Sequence, residues 1–164
     1  MRKPQAIVLT ISDSASRGER TDLSGPAARA ELERLGCEVV SVAIVPDDLG
    51  MIRDKLLEQS ESEAIDLIVT TGGTGLAPRD VTPEATLEVI EKSVPGLPEL
   101  MRMEGLKLNP RAALSRAIAG LRNKTLIINL PGSVRGVQES LAAVAPILGH
   151  ALEVASGNTV RCGG

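Results

Sequence analysis

The stretch IDLIVTTGGTGLAPRDVTPE, residues 65–84, decides the fold because it holds a strand, a glycine-rich loop and a helix start in direct succession. Residues 65–69 form a short, mostly branched apolar run, which is typical of a strand buried on both faces of a parallel sheet. Thr82-Pro83-Glu84 predicts a helix start with a hydroxyl N-cap, a proline at the first helical position and an acid in the first turn. Strands that lead into helices in this way build α/β domains.

The same alternation continues on both sides of this stretch. Apolar runs predict further strands at residues 6–11, 39–45, 117–122 and 125–130. Apolar residues three or four apart, with their stop signals, predict helices at residues 26–35, 49–58, 82–92, 99–108 and 134–154. Asn123-Lys124 is typical of a hairpin turn, so we expect one antiparallel strand at an edge. The sequence therefore predicts a three-layer α/β/α sandwich with a mostly parallel sheet, organised as one domain over residues 1–164.

Composition excludes several classes of function. The 164 residues include 18 Lys+Arg and 21 Asp+Glu, a near-balance that argues against a nucleic-acid partner. The chain has no Phe, Tyr or Trp, so the core must be aliphatic and no such ring can stack on a base. No apolar run reaches the roughly 20 residues that span a bilayer, and the start does not resemble a signal peptide. Cys37 and Cys162 fit no metal-binding spacing, which indicates reduced thiols in a cytoplasmic protein.

Four loops are candidates for the functional site, because open α/β sheets bind ligands where their parallel strands end. These loops follow Ile11, Val45, Val69 and Leu130. In the third of them, residues 70–81, glycines allow backbone N–H groups to approach an anion and threonine hydroxyls add donors. The loop is neither a Walker A nor a GxGxxG motif. The alternative interpretation is a glycine-rich corner that binds nothing.

Two aspartates lie at the same predicted edge of the sheet. Asp80 belongs to the loop after the third strand, and Asp47 to the loop after the second. Two carboxylates in these places could share a magnesium ion that bridges nucleotide phosphates. The alternative is a capping role, since either Asp47 or Asp48 suits the N-cap of the helix that begins at Leu49.

A set of motifs in this order matches a known family. The motifs cover nearly the whole chain and include residues 11–14, 22–25, 45–47, 70–85, 114–116 and 125–133. On these residues the chain resembles the MoaB/MogA family of molybdenum cofactor biosynthesis, and especially the G domain of gephyrin. The run TGGTGLAPRDVTPEA, residues 71–85, is the most specific of them.

The resemblance implies a homotrimer that adenylylates molybdopterin: ATP and molybdopterin give adenylyl-molybdopterin and pyrophosphate, with Mg²⁺. It implies that Asp47 and Asp80 are the catalytic, magnesium-linked acids. It also implies a nucleotide and pterin pocket formed by Ser12, Asp13, Gly72, Gly73, Thr74, Gly75, Ser115, Asn129, Pro131, Gly132 and Ser133. The sequence leaves open whether the protein acts alone or beside a separate molybdenum-inserting enzyme.

Two other functions stay open: a MoaB-type protein that binds molybdopterin without adenylylating it, and a trimeric scaffold. The first is favoured by a departure from the family pattern, because Gly105 stands where relatives usually carry a serine that helps to hold the phosphate side of the pterin. Asn109 and Val134 are further departures, whereas Leu76 and Leu97 are expected to change packing only.

Overall fold

Six strands and six helices make up the computed structural model, which describes residues 2–158. The strands are β1 (Gln5–Ile11), β2 (Glu38–Val45), β3 (Leu67–Thr71), β4 (Lys92–Ser93), β5 (Ala119–Arg122) and β6 (Thr125–Leu130). The helices are α1 (Asp13–Ser16), α2 (Ser24–Arg34), α3 (Leu49–Ser60), α4 (Thr82–Leu87), α5 (Gly96–Leu106) and α6 (Val134–Ala155), with a 3₁₀ helix at Pro110–Leu114.

The strands form a single mixed sheet in the order β2-β1-β3-β6-β5-β4. The pairs β1–β2, β1–β3 and β3–β6 are parallel, whereas β5 pairs antiparallel with both β6 and β4. The predicted hairpin is present and turns at Asn123, whose φ of 52° is one that asparagine tolerates. The predicted sheet is therefore confirmed, although the short strand β4 lies outside the antiparallel strand at the edge.

Side chains along the strands alternate between two hydrophobic clusters, one on each face of the sheet. Ala6 and Val8 on β1 belong to the cluster that α2, α5 and α6 cover. Ile7 and Leu9 belong to the cluster that α3 and α4 cover. This alternation confirms the three layers.

The boundaries around α4 differ from the prediction. The helix ends at Leu87 instead of residue 92, and α5 already begins at Gly96. The chain between them follows β5: Glu91 N donates to the Leu121 carbonyl at 2.7 Å and Val94 N to the Ala119 carbonyl at 2.9 Å. A two-residue strand of exposed polar side chains has no apolar pattern by which to predict it.

The predicted N-cap at Thr82 is wrong. Val81 occupies the N-cap position without a side-chain hydrogen bond. The Thr82 hydroxyl instead donates to the Gly72 carbonyl at 2.9 Å, so it ties the helix to the preceding loop. At the start of α3 the capping role belongs to Asp48, whose carboxylate accepts from Met51 N at 2.9 Å.

The register of the parallel strands brings the four candidate loops together. Ile11 lies beside Val45, Thr10 beside Thr71, and Thr71 beside Leu130. The chain leaves β1 toward β2 on one side, whereas β3 lies on the other, which makes this edge a topological switch point.

No helix within residues 2–158 is long and apolar enough to cross a membrane. Cys37 is a buried free thiol, and Cys162 lies outside the described residues.

Candidate active site

The glycine loop (residues 72–81) passes closely over the end of the sheet. Gly72 and Gly73 have φ angles of +100° and +69°, in the left-handed region that favours glycine. A Cβ at Gly72 would collide with the Ile11 carbonyl, and one at Gly73 with the Thr82 hydroxyl. Gly72 N donates to the Leu130 carbonyl at 3.1 Å. The glycines are therefore required where β1, β3 and β6 end side by side.

The carboxylates of Asp47 and Asp80 flank this loop. Oδ1 of Asp47 lies 3.3 Å from the position that a Cβ on Gly73 would take, and Oδ2 of Asp80 lies 2.8 Å from the corresponding position on Gly75. Each carboxylate accepts one backbone N–H through Oδ2, at 2.9 Å for Asp47 and 3.0 Å for Asp80. Within residues 2–158, the Oδ1 atom of each carboxylate accepts no hydrogen bond, so each acid has an oxygen available to a ligand.

The electrostatics around Asp47 favour a cation. Burial raises the pKa of Asp47, and the negative charges of Asp13 and Asp80 raise this pKa further. Residues 2–158 contain no group of three or more His, Cys, Asp or Glu side chains placed to hold a metal ion by themselves. Mg²⁺ commonly takes one or two carboxylates together with substrate phosphates, and the Asp47–Asp80 pair fits that mode.

Asp13 links the loops that carry the two acids. Asp13 N donates to Oδ2 of Asp47 at 2.9 Å, and Asp47 N donates to Oδ1 of Asp13 at 3.0 Å. Arg79 donates to both Asp13 oxygens, with Nε–Oδ2 at 2.5 Å and Nη2–Oδ1 at 3.1 Å. The hydrogen bond from Arg79 lowers the pKa of Asp13, which therefore stays ionised.

Arg116 holds the far side of the glycine loop. Its Nε donates to the Gly75 carbonyl and its Nη2 to the Asp80 carbonyl, each at 2.7 Å. Its Nη1 pairs with the Glu84 carboxylate, which lowers the pKa of Glu84. Neither Arg79 nor Arg116 has a role that a local sequence pattern predicts, since their partners lie at least 32 residues away along the chain.

Two cavities open beside the loop and share Gly132 and Ser133. The larger has a volume of about 550 Å³, and its walls include eight predicted site residues: Gly73, Thr74, Gly75, Asp80, Ser115, Pro131, Gly132 and Ser133. The smaller has a volume of about 330 Å³ and is lined by Ser12 and Gly72 among others. The structure thus brings most of the predicted pocket together.

Anion-binding groups surround the larger cavity. The N-terminus of α6 points its free amides to this end of the sheet, and its N-cap Ser133 accepts from Gly136 N at 2.9 Å. Arg102, Arg111 and Arg135 also line the cavity, where they outnumber the acids Asp80 and Glu139; Arg135 pairs with Glu139 at 2.7 Å. These charges favour a phosphate-bearing ligand.

Residues 7–150 match the family described as "Probable molybdopterin binding domain". The chain belongs to this family. Over 156 residues it is 46% identical to a molybdopterin adenylyltransferase of Helicobacter pylori, covering 94% of this chain and 89% of that protein. It is 40% identical over 155 residues to a gephyrin of Dictyostelium discoideum, covering 88% of this chain and 21% of the other. The solved structure of the molybdopterin biosynthesis enzyme MoaB from Thermus thermophilus is 50% identical, with a TM-score of 0.89 over 96% of this chain and 99% of that one.

In this member of the family, three of the predicted site residues line neither cavity. Asn129 is fully buried: its Nδ2 donates to the hydroxyls of Thr70 and Thr86 at 3.0 Å each, and its Oδ1 accepts from Ile118 N at 3.2 Å. Both polar atoms of its side chain are thereby used within the fold. Asp13 and Asp47 border the glycine loop instead of the cavities.

The packing around Gly105 explains why a glycine stands at this position. Gly105 is buried in the wall of the larger cavity, where α5 meets the 3₁₀ helix. A Cβ at this position would lie 2.9 Å from the Cβ of Ala112. A serine therefore does not fit unless the 3₁₀ helix moves.

Proposed function

We propose that this protein is a molybdopterin adenylyltransferase that uses ATP and Mg²⁺. The observation that carries the proposal is the pair Asp47 and Asp80, which flank a glycine loop and each have one carboxylate oxygen available to a ligand. The molybdopterin adenylyltransferases similar to this chain over most of its length support the choice of substrate. We also propose that residues 1–164 form one domain.

The reaction requires alignment of two anionic groups more than covalent catalysis by the protein. A phosphate oxygen of molybdopterin attacks the α-phosphorus of ATP, the bond from that phosphorus to the oxygen bridging to the β-phosphate breaks, and pyrophosphate leaves. A magnesium ion held by Asp47 and Asp80 would neutralise charge on the phosphates. Two cavities that meet at Gly132 and Ser133 suit two substrates whose reacting groups must come together.

The other predicted site residues bind the substrates or support the walls of the two cavities. The backbone amides of Gly73, Thr74 and Gly75 and the N-terminus of α6 bind phosphates in the larger cavity, with Ser115 and Pro131 completing its wall. Ser12 and Gly72 contact the substrate part in the smaller cavity. Asn129 acts from behind by fixing β6 to β3.

The test is direct. The purified protein is incubated with ATP, Mg²⁺ and molybdopterin, and the products are separated by chromatography. We expect adenylyl-molybdopterin and pyrophosphate in equal amounts. A protein that binds molybdopterin tightly, as measured by calorimetry, but forms no adenylylated product contradicts the proposal.

That contrary result would favour a molybdopterin-binding protein without turnover. The specific observation for this second candidate is Gly105, because the Cβ of the serine that the family resemblance predicts there would lie 2.9 Å from the Cβ of Ala112. The two candidates differ in whether adenylyl-molybdopterin and pyrophosphate form, so the same assay separates them.

We also propose that the protein is a homotrimer and that a molybdenum-inserting enzyme takes its product. Large apolar side chains on α5, on the 3₁₀ helix and between them support an assembly, since Met103, Leu108 and Leu114 are 62%, 60% and 53% exposed. Light scattering after size-exclusion chromatography measures the mass. A monomeric mass contradicts the trimer and, with it, the scaffold alternative.

A further inference from the structure

We infer that Asp13 and Arg79 are positioning residues that hold the loops of the two catalytic acids in register, and that Asp13 does not bind substrate. The inference deepens the proposed function and rests on it for the roles of Asp47 and Asp80. It concerns three loops, which follow β1, β2 and β3 and carry Asp13, Asp47 and Arg79 respectively.

The first step is the reciprocal contact between Asp13 and Asp47. Each residue donates its backbone N–H to the carboxylate of the other, at 2.9 Å and 3.0 Å. Two charge-assisted hydrogen bonds in opposite directions fix both the backbone and the side chain of Asp47. They leave Oδ1 of Asp47 on the side of Gly73.

The second step is the attachment of Arg79 to Asp13. The guanidinium donates to both carboxylate oxygens in a bidentate arrangement, which fixes orientation as well as distance. Arg79 immediately precedes Asp80, and Asp80 closes a tight turn onto Ala77 through Asp80 N–Ala77 O at 2.9 Å and Ala77 N–Oδ2 at 3.0 Å. Fixing Arg79 therefore fixes the turn that presents Asp80.

The third step separates Asp13 from the two acids that it joins. Both oxygens of Asp13 are engaged: Oδ1 accepts from Asp47 N and Arg79, and Oδ2 accepts from Arg79. Asp47 and Asp80 each retain an oxygen that accepts nothing within the described chain. Both oxygens of the Asp13 carboxylate therefore accept hydrogen bonds from protein groups, as expected of a positioning residue.

Arg79 is exposed by 66%, and surface ion pairs contribute little to folding stability. Its removal should thus disturb the geometry of the site and leave the fold intact. This distinguishes it from a core residue, whose removal would lower activity by unfolding the protein.

The first experiment is a double-mutant cycle on adenylyl transfer with Arg79→Ala, Asp13→Ala and the double variant. We expect each single variant to lower kcat by about tenfold or more, with little change in the KM for ATP, and the double variant to lose no more than the singles. Arg79→Lys, which keeps the charge, should recover part of the loss. The matched control is Arg29→Ala, because Arg29 is also exposed but pairs with Glu33 within α2; its kcat should equal that of the wild type.

Losses that add in the double variant, or an increase in the KM for ATP that exceeds the loss in kcat, would show that Arg79 binds the nucleotide itself and would overturn the inference. Melting temperatures of all variants, followed by circular dichroism, exclude losses that come from unfolding.

The second experiment does not depend on activity. Amide hydrogen exchange at Asp13 and Asp47 is measured by NMR in the protein without ligands. We expect Arg79→Ala to accelerate exchange at both amides by about tenfold, and Arg29→Ala to leave both rates unchanged. Unchanged rates in Arg79→Ala overturn the inference, whereas a wild-type protein without adenylyl transfer overturns only the proposed function.

Discussion

Arg116 donates through Nη2 to the main-chain carbonyl oxygen of Asp80 at 2.7 Å, across 36 positions of the sequence. The residue that carries a proposed catalytic carboxylate is thus held from its backbone side by an arginine that precedes β5. The same guanidinium reaches the Gly75 carbonyl and the Glu84 carboxylate, so it connects the glycine loop with the first turn of α4.

Replacing Arg116 by alanine should loosen this loop. Three hydrogen bonds are lost, and we expect a loss of about 1–3 kcal/mol in the free energy of unfolding, because carbonyl groups that were paired become unsatisfied. A shift of Asp80 by about 1 Å would also lower kcat by about 100-fold. Urea unfolding and the adenylyl-transfer assay measure the two effects. Arg53→Ala, which removes an arginine whose ion-pair partners within residues 2–158 are the exposed Asp54 and Glu88, is the control and should change neither.

The two acids should be needed for turnover and not for folding. Asp47→Asn and Asp80→Asn keep the shape of each side chain but remove the charge, and we expect kcat to fall by about 100- to 1,000-fold with an unchanged melting temperature. Asp48→Asn is the matched control, because asparagine also caps α3 and Asp48 has no other proposed role. If Asp47→Asn instead lowers the melting temperature while the folded protein keeps its specific activity, the role of Asp47 is structural.

Gly105→Ala tests the packing of the larger cavity wall. The added Cβ would lie 2.9 Å from Ala112, so we expect a loss of about 1–3 kcal/mol in the free energy of unfolding, most of which Ala112→Gly should restore. Gly149→Ala provides the contrast. It lies inside α6 with no neighbour within 4 Å of an added Cβ, and it should stabilise the protein by about 0.5–1 kcal/mol. Equal changes in the free energy of unfolding at both glycines would show that the 3₁₀ helix moves away from an added Cβ at no cost.

The ion pair of Glu84 should make stability depend on pH. Arg116 lowers the pKa of Glu84 in the folded protein below its value in the unfolded chain, which is about 4.3. The folded state then binds this proton less readily, so the stabilisation is present above about pH 5 and disappears as the pH falls through the folded pKa. We expect wild type and Glu84→Gln to differ in melting temperature at pH 7 and to converge toward pH 3. A difference that persists at pH 3 would mean that the charge is irrelevant.

Cys37 should react slowly in the native protein. Burial raises the pKa of its thiol, and its side chain packs within the cluster that α2 covers. In a Cys162→Ser variant, where Cys37 is the sole thiol, we expect reaction with a disulfide reagent only as fast as local opening allows, and immediate reaction in urea. A fast native reaction would place Cys37 at the surface.

Local patterns were sufficient for the layers, the sheet and the edge where the site lies. A few neighbouring residues are enough to predict that β1, β3 and β6 are buried strands. The same holds for the tight turn at Gly72 and Gly73. The loops after these strands then had to meet, because parallel strands end at one edge.

Interactions between distant residues were not predictable in this way. Thr82 is a residue type that is common at N-caps, yet its hydroxyl donates to the Gly72 carbonyl because the glycine loop folds back over the start of α4. Asn129 resembles a ligand-binding residue at a strand end, but it points into the protein and joins two threonines. The roles of Arg79 and Arg116 depend on partners that are distant in the sequence and come close only in the folded chain.

The two clusters on the faces of the sheet contain aliphatic and methionine side chains, alanine and cysteine, and the chain has no Phe, Tyr or Trp. Apart from the imidazole of the exposed His150, the protein has no ring whose current could shift a methyl resonance. An adenine or pterin would bring that ring current with it. Met101, Ala112 and Leu114 line the larger cavity. The changes in the NMR chemical shifts of their methyl groups would then report where a bound heterocycle lies.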